Sequence, residues 1–411
     1  MRKIIFKSAI SGILAVAIVT NLVSAGNYGT KADASISKVS ISKYYKSMAS
    51  SLGIKAEDIA DKSGIPIDKD RYVTNEKAAV IAQAADVIKN KDIYSREKYK
   101  NIKSKKRISD IGAVSNLYRD DVIKCFTKGI MIGKGNGKCS QDRKFSPGAY
   151  VSGSEYKKII NRVKNKSSRF KLSPDGQVIR TTNLPKNYKR YKYILASFPN
   201  GFYDMPMTYE TNKYYYKIKR GRDYEWPCRL KTIKVLSTEA KSGEMRADKY
   251  LEKYQDKMVK LLEDNLKLRF SFDYRKSGNK WFNKVRKTYY ISGDAEYDKP
   301  RTKWIKLYMK NAKKNKVVLQ YKNVVVEPSA VYFEGAYRFR CYLKFKCTAK
   351  TWKTFSSGNQ NEMILGDIVN IKRLKNGKWY EGYFDFEVGS TAFCQPDGTY
   401  TVTDDDLIKL K

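Results

Sequence analysis

From Tyr337 to Cys347 the chain alternates strictly between two kinds of side chain. Tyr337, Phe339, Cys341, Leu343, Phe345 and Cys347 share one parity; Arg338, Arg340, Tyr342, Lys344 and Lys346 share the other. A period of two predicts a strand with one buried face and one basic face. The run from Trp379 to Val388 repeats the pattern, with Tyr380, Phe384, Phe386 and Val388 on one side. Its other side holds Trp379, Glu381, Tyr383, Asp385 and Glu387, so these acids would offset the first strand's cations if the two strands pair. Asn376-Gly377 before it is a hairpin-type turn signal, and Lys316–Val326 and Thr399–Leu410 are further strand candidates. Ahead of these runs, Ala247, Tyr250, Leu251, Tyr254, Met258, Leu261 and Leu262 form a single helical stripe between Glu244 and Leu262. A long helix before an antiparallel meander predicts an α+β layer over residues 185–411, of cystatin-like or nuclear-transport-factor-like type by element order.

The amino-terminal third has a helical period instead. Tyr72-Val73-Thr74-Asn75-Glu76-Lys77-Ala78 is echoed by Tyr150-Val151-Ser152-Gly153-Ser154-Glu155-Tyr156, and each leads into a helix. Ala78, Ile81, Ala82 and Ala85 correspond to Tyr156, Ile159, Ile160 and Val163, one apolar face each, with Thr74 and Ser152 at the capping position. A further helix carries Val122, Cys125 and Phe126 inward and ends at Gly129. Between it and the second copy runs Gly129-Ile130-Met131-Ile132-Gly133-Lys134-Gly135-Asn136-Gly137, a chain of tight turns. It lacks the Gly-Lys-Ser/Thr that opens a helix in a phosphate loop, so no nucleotide site is expected there.

In their order these pieces resemble the S-layer homology (SLH) domain of bacterial surface proteins. Ile108-Ser109-Asp110-Ile111 looks like that family's "FSDV", and Asn116-Leu117-Tyr118-Arg119-Asp120-Asp121-Val122 looks like its first helix. The glycine run looks like its "GIV-x-G-x-G-x-G" turn, Phe145-Ser146-Pro147 like its "F-x-P". Thr74-Asn75-Glu76-Lys77 and Ser152-Gly153-Ser154-Glu155 stand for "T-R-A-E", with Asn75 and Gly153 in place of the arginine. Two copies are legible, where the family usually has three. The resemblance implies a helical-repeat module over 35–165 that binds an anionic secondary polymer of the cell wall. Asp110, Tyr118, Ser152 and Glu155 match family positions, and Lys134 and Lys138 beside the glycine turn would meet an anionic polymer.

Residues 1–34 read as a signal peptide: Arg2, Lys3 and Lys7 precede an apolar run from Ala9 to Val23, with small-residue cleavage patterns ending at Ala25 and Ala34. The run is shorter than the ~20 residues a membrane span needs, and no later stretch is apolar enough, so the mature chain is expected to be exported without a transmembrane segment. Asn161 to Lys192 turns polar and basic, with Pro174-Asp175-Gly176 as a turn, which predicts a linker over 166–184. Lys and Arg outnumber Asp and Glu by 83 to 42, a net charge of +41, and there is no His. That excludes imidazole catalysis and His-ligated zinc. The six cysteines form no Cys-x-x-Cys pair. Cys341 and Cys347, roughly 20 Å apart along one strand, cannot bridge one another. Bridges to Cys228 or Cys394 and buried thiols are both open.

No cofactor and no metal are expected; Asp404-Asp405-Asp406 lacks the flanking pattern of a calcium loop. Among the acids, Asp204, Glu210, Asp223, Glu225, Glu381 and Asp385 are candidates for a carboxylate-dependent wall hydrolase, with no spacing that selects a pair. Binding has more to carry it. Lys189, Arg190 and Tyr191 in one run, Tyr214, Tyr215, Lys217, Lys219 and Arg220 in a second, and Arg338 and Arg340 on the strand form a basic aromatic patch. Flat rings stack on sugars or bases while the cations neutralise acidic groups. The reading that follows is a non-catalytic secreted protein of the bacterial cell surface. It is held to the wall through its repeats on anionic wall polymer or a peptidoglycan-linked glycan, and displays a basic binding domain. A secreted cationic binder of host glycan or extracellular nucleic acid is the alternative, the hydrolase a second.

Overall fold

The computed structural model describes residues 37–205, 231–232, 247–289, 295–333, 336–357, 374–390 and 402–410. The leader, the Tyr214–Arg222 run, Glu210, Asp223, Glu225, Cys228 and Cys394 lie outside these. Residues 38–411 form one compact unit.

The helical part opens with α1 (Ile41–Leu52), α2 (Ala56–Ser63), α3 (Asn75–Asn90), α4 (Arg96–Ser104) and α5 (Arg119–Thr127). After the small hairpin of β1 (Lys134–Gly135) and β2 (Arg143–Lys144) comes α6 (Glu155–Lys164). The helical stripes read from the sequence, on α3, α5 and α6, are all buried in one core. Thr74 caps α3 by accepting from Lys77 N–H, and Ser152 Oγ accepts from Glu155 N–H at the head of α6.

A third copy is present. Lys38-Val39-Ser40 leads into α1 as Tyr72-Val73-Thr74 leads into α3 and Tyr150-Val151-Ser152 into α6. The three segments pair in a closed ring, Lys38 with Ser152, Ser40 with Tyr72 and Thr74 with Tyr150, and bury Val39, Val73 and Val151. Ser40 caps α1 through Lys43 N–H, and Ile41, Tyr44, Tyr45, Met48 and Leu52 give it the same apolar face. The expectation of two copies is corrected: the first lacks the Tyr and Glu that make the others recognisable, but keeps the Val and the capping hydroxyl.

The stretch 166–184 is not a free tether. Leu172 and Val178 pack in the helical core, and Arg107 pairs with buried Asp175 through a 2.5 Å ion pair. Arg169 binds Asp86, which also pairs with buried Lys128 at 2.9 Å. Polarity here satisfies buried partners, which a composition-based reading takes for solvation. Gly129, at φ +70°, lies against this stretch: a Cβ there would overlap the Phe170 carbonyl, and Phe170 N–H donates to Gly129 at 3.0 Å. Gly129→Ala is therefore expected to cost about 1–3 kcal/mol or more. An unchanged urea midpoint would refute this.

The carboxyl-terminal part is α+β. After the short α7 (Asn200–Tyr203), the long helix α8 (Ala247–Arg269), α9 (Asn279–Arg286) and α10 (Ala295–Lys314) precede all but the first, two-residue strand of the sheet. The sheet runs β3 (Lys231–Thr232), β4 (Val318–Phe333), β5 (Ala336–Thr348), β6 (Trp379–Ser390), β7 (Val402–Leu410), antiparallel in that order. Between β5 and β6 lies α11 (Trp352–Ser356), so Asn376-Gly377 does not close a two-residue hairpin. It locks the strand ends instead, Asn376 exchanging hydrogen bonds with Ala349 and Gly377 N–H donating to Cys347.

The sheet has two cores. Its inner face, including every odd residue from Tyr337 to Cys347, packs with Met258, Leu262 and Leu266 of α8 and Ile305 and Tyr308 of α10. Its outer face is covered in part by residues 184–205: Tyr191, Ile194, Leu195, Phe198, Phe202 and Tyr203 pack on Val325, Ala330, Tyr342 and Tyr383. Cys139 joins this second core, and its N–H donates to Ser197. The four described cysteines, Cys125, Cys139, Cys341 and Cys347, are buried free thiols. Burial pushes Cys125, Cys139 and Cys347 up to about 12, which keeps them protonated and unreactive.

Candidate functional site

The β5–β6 register decides where charge resides on the outer face. Arg338 stands opposite Glu387, Arg340 opposite Asp385, Tyr342 opposite Tyr383, Lys344 opposite Glu381 and Lys346 opposite Trp379. The first two pairs are closed ion pairs on this face. Arg338 meets Glu387 at 2.9 Å, and Arg340 donates to both oxygens of Asp385 at 2.8 and 3.0 Å with both side chains buried. Arg338 and Arg340 are therefore internal ties, not members of a solvated basic face. Residues 184–205 shield the Arg340 pair, and Arg340 also donates to the Phe202 and Met205 carbonyls.

Beyond this shield the face opens into a cleft of about 250 Å³ lined by Lys138, Pro199, Gly201, Tyr342, Glu381, Gly382 and Tyr383. Lys138 comes from the end of the glycine turn, held there by the Cys139–Ser197 hydrogen bond and by the burial of Cys139. Its ammonium lies 5.4 Å from the Tyr342 ring centre and 5.8 Å from that of Tyr383, within cation–π range. It also meets Glu381 at 2.5 Å, and the same carboxylate accepts from Tyr342 Oη at 2.8 Å and faces Lys344 at 3.5 Å. Burial opposes ionisation of Glu381, but hydrogen bonds from Lys138 and Tyr342, with the charges of Lys138 and Lys344, outweigh it and hold the carboxyl at about 2. The Lys138 ammonium is held above its ordinary range: burial works against it and the Glu381 bond prevails. Burial, and then the bond to Glu381, push the Tyr342 phenol up, so it stays a neutral donor.

No protein family, curated protein or solved structure matches the chain.

The other expected site residues are spread elsewhere. Asp110 accepts from Phe145 and Ser146 N–H at 2.8 and 2.7 Å and braces that loop. Tyr118 packs against the helical core, Glu155 pairs with Arg162 at 3.0 Å, and Lys134 is exposed on β1. Asn75 donates to the Phe145 and Ser146 carbonyls. Lys189 and Arg190 are exposed on a turn, while Tyr191 is buried and donates to the Tyr203 carbonyl at 2.8 Å. Asp204 accepts from Asn187 N–H. The structure thus brings together Lys138 and Glu381, which the sequence singled out for different roles, and adds Tyr342, Tyr383 and Lys344. The signal for the added three was the second parity of each strand, read side by side. Among the described residues no group of three or more metal-ligating side chains occurs, and no helix is long and apolar enough to cross a membrane.

Proposed function

We propose that the chain is an exported, non-catalytic protein of the bacterial cell surface that binds an anionic wall polymer in the Lys138–Tyr342–Glu381–Tyr383 cleft. The observation that carries this reading is the Lys138 ammonium, supplied by the SLH-like glycine turn and seated over two tyrosine rings of the sheet. Rings offer apolar faces to sugars and the ammonium neutralises an acid group. In this reading the repeats and the basic half make one composite site, with Asp110, Ser152 and Glu155 serving the scaffold. The helix-over-meander layer is in keeping with a cystatin-like or nuclear-transport-factor-like arrangement. Hydrolysis is less well supported. Glu381 and Asp385 share a face of β6 about 13 Å apart, beyond the roughly 5–9.5 Å that paired glycosidase carboxylates span.

Co-sedimentation with purified sacculi, before and after stripping the anionic polymers, tests the proposal. Retention is expected only on unstripped wall and is expected to fall with salt. Lys138→Ala should weaken it, and Glu381→Gln, which leaves Lys138 unopposed, should tighten it, each by roughly twofold to fivefold. Equal retention on stripped wall, or effects of the same sign for the two variants, would overturn the reading.

A further inference from the structure

The outer face continues past the cleft. The cover formed by residues 184–205 reaches Tyr342 and Tyr383, while Gln320 and Lys322 beyond it are exposed and Lys346 and Trp379 half-buried. Lys322 is the extra residue at a bulge between Tyr321 and Asn323. There its ammonium lies 4.5 Å from the Trp379 ring centre, and that of Lys346 lies 5.1 Å from it. Among the described residues neither ammonium has a carboxylate partner, in contrast to Lys138 and Lys344, which share Glu381. Among the described residues the strip from Lys138 to Lys322 therefore sets Lys138, Lys344, Lys346 and Lys322 against the Glu381 carboxylate, with aromatic rings at both ends.

We propose that Trp379, Lys322 and Lys346 form a second subsite, so that the protein takes a linear anionic glycan lying along the strands and not a single charged sugar. The inference rests on the reading of the cleft as an anionic-polymer site. Same-face steps on a strand place the Lys346–Trp379 pair about 13 Å from the Tyr342–Tyr383 pair, about two to three sugar rings. Each end of that span offers a flat ring for a sugar face and at least one ammonium for an acid group. Lysine stems are long and flexible, so Lys322 and Lys346 can leave the indole for a ligand carboxylate or phosphate. Excess positive charge along the strip complements repeated negative charge along such a chain.

Calorimetric titration with size-fractionated anionic polymer released from sacculi tests this. Trp379→Ala is expected to bind the shortest fragments as the wild type does and to lose about tenfold on the longer ones. The double variant Lys322→Glu/Lys346→Glu, both on the strand surface, should do the same and carries the test if Trp379→Ala melts early. Trp379→Phe should retain most of the length dependence. If affinity is unchanged at every length in these variants while Lys138→Ala still weakens binding, the second subsite is overturned and the cleft stands. If Lys138→Ala is without effect as well, both readings fall. Displacement of the polymer by a single-stranded oligonucleotide of equal charge, at higher affinity, would assign the strip to nucleic acid and overturn the glycan.

Discussion

Asp385→Ala is expected to destabilise the protein by about 3–5 kcal/mol, read as a drop in the urea midpoint. The substitution removes the carboxylate that grips the Arg340 guanidinium, a residue 2% exposed, through both oxygens, and it removes one acceptor from Tyr332 Oη. The Phe202 and Met205 carbonyls, which also accept from Arg340, carry no formal charge to replace the lost carboxylate. Arg340→Met/Asp385→Leu, which removes both charges and keeps the volume, should recover most of the loss. An Asp385→Ala protein as stable as the wild type would show that the pair is solvated after all. The double variant separates stability from function. Arg340 ties residues 202–205 to the sheet, and Pro199 and Gly201 wall the cleft, so even a stable double variant is expected to bind its polymer less well.

A second large effect lies in the bulge of β4. Glu327, Pro328, Ser329 and Ala330 stand against Arg340 alone, between the Val326–Cys341 and Val331–Phe339 pairs. The Glu327 carboxyl is fully buried. Burial raises it to about 8, against the opposing pull of hydrogen bonds from Ser329, Ala330 and Tyr203, with Asp175 adding to the rise. Geometry agrees with a neutral acid. Ser329 Oγ lies 2.9 Å from both carboxyl oxygens and 2.7 Å from the Tyr193 carbonyl, and a hydroxyl has one proton to give. A protonated carboxyl can donate to Ser329, which then donates to Tyr193.

A folded value above the unfolded one gives stability that is complete below about pH 4.5 and is lost as pH rises toward 8. The loss amounts to on the order of 5 kcal/mol. Glu327→Gln cannot ionise, so its unfolding free energy should match the wild type near pH 5 and exceed it by several kcal/mol at pH 9. Parallel pH profiles for the two proteins would exclude a neutral Glu327.

The strands were legible because their alternation states both faces at once. The acids at Glu381, Asp385 and Glu387 predicted the offsetting of Lys344, Arg340 and Arg338, and the register pairs them one to one. Desolvation was not legible. Arg338 and Arg340 read as a solvated basic face because nothing in their own segment announces the residues 202–205 that close over Arg340, or that each arginine is held by a carboxylate of the next strand. The same blindness makes 166–184 read as a linker, since Asp175 and Gln177 are polar yet buried. Half of the candidate site was visible, Lys138 beside the glycine turn and Glu381 among the acids. Their union was not, because the two are 243 residues apart and no periodicity reaches that far.

That separation has a consequence for how the chain becomes a protein. During synthesis the helical ring, whose three segments lie within 38–152, can close early. The apolar side of residues 191–203 cannot, for the surface it covers belongs to strands that emerge last. Until β6 arrives, Phe198, Phe202 and Tyr203 have no seat, and the growing chain carries a sticky, unpaired flap. Folding is thus expected to be slow in its final phase and governed by long-range closure. Chains that end before β6 would keep that flap exposed and aggregate, so the site is best studied in the intact protein.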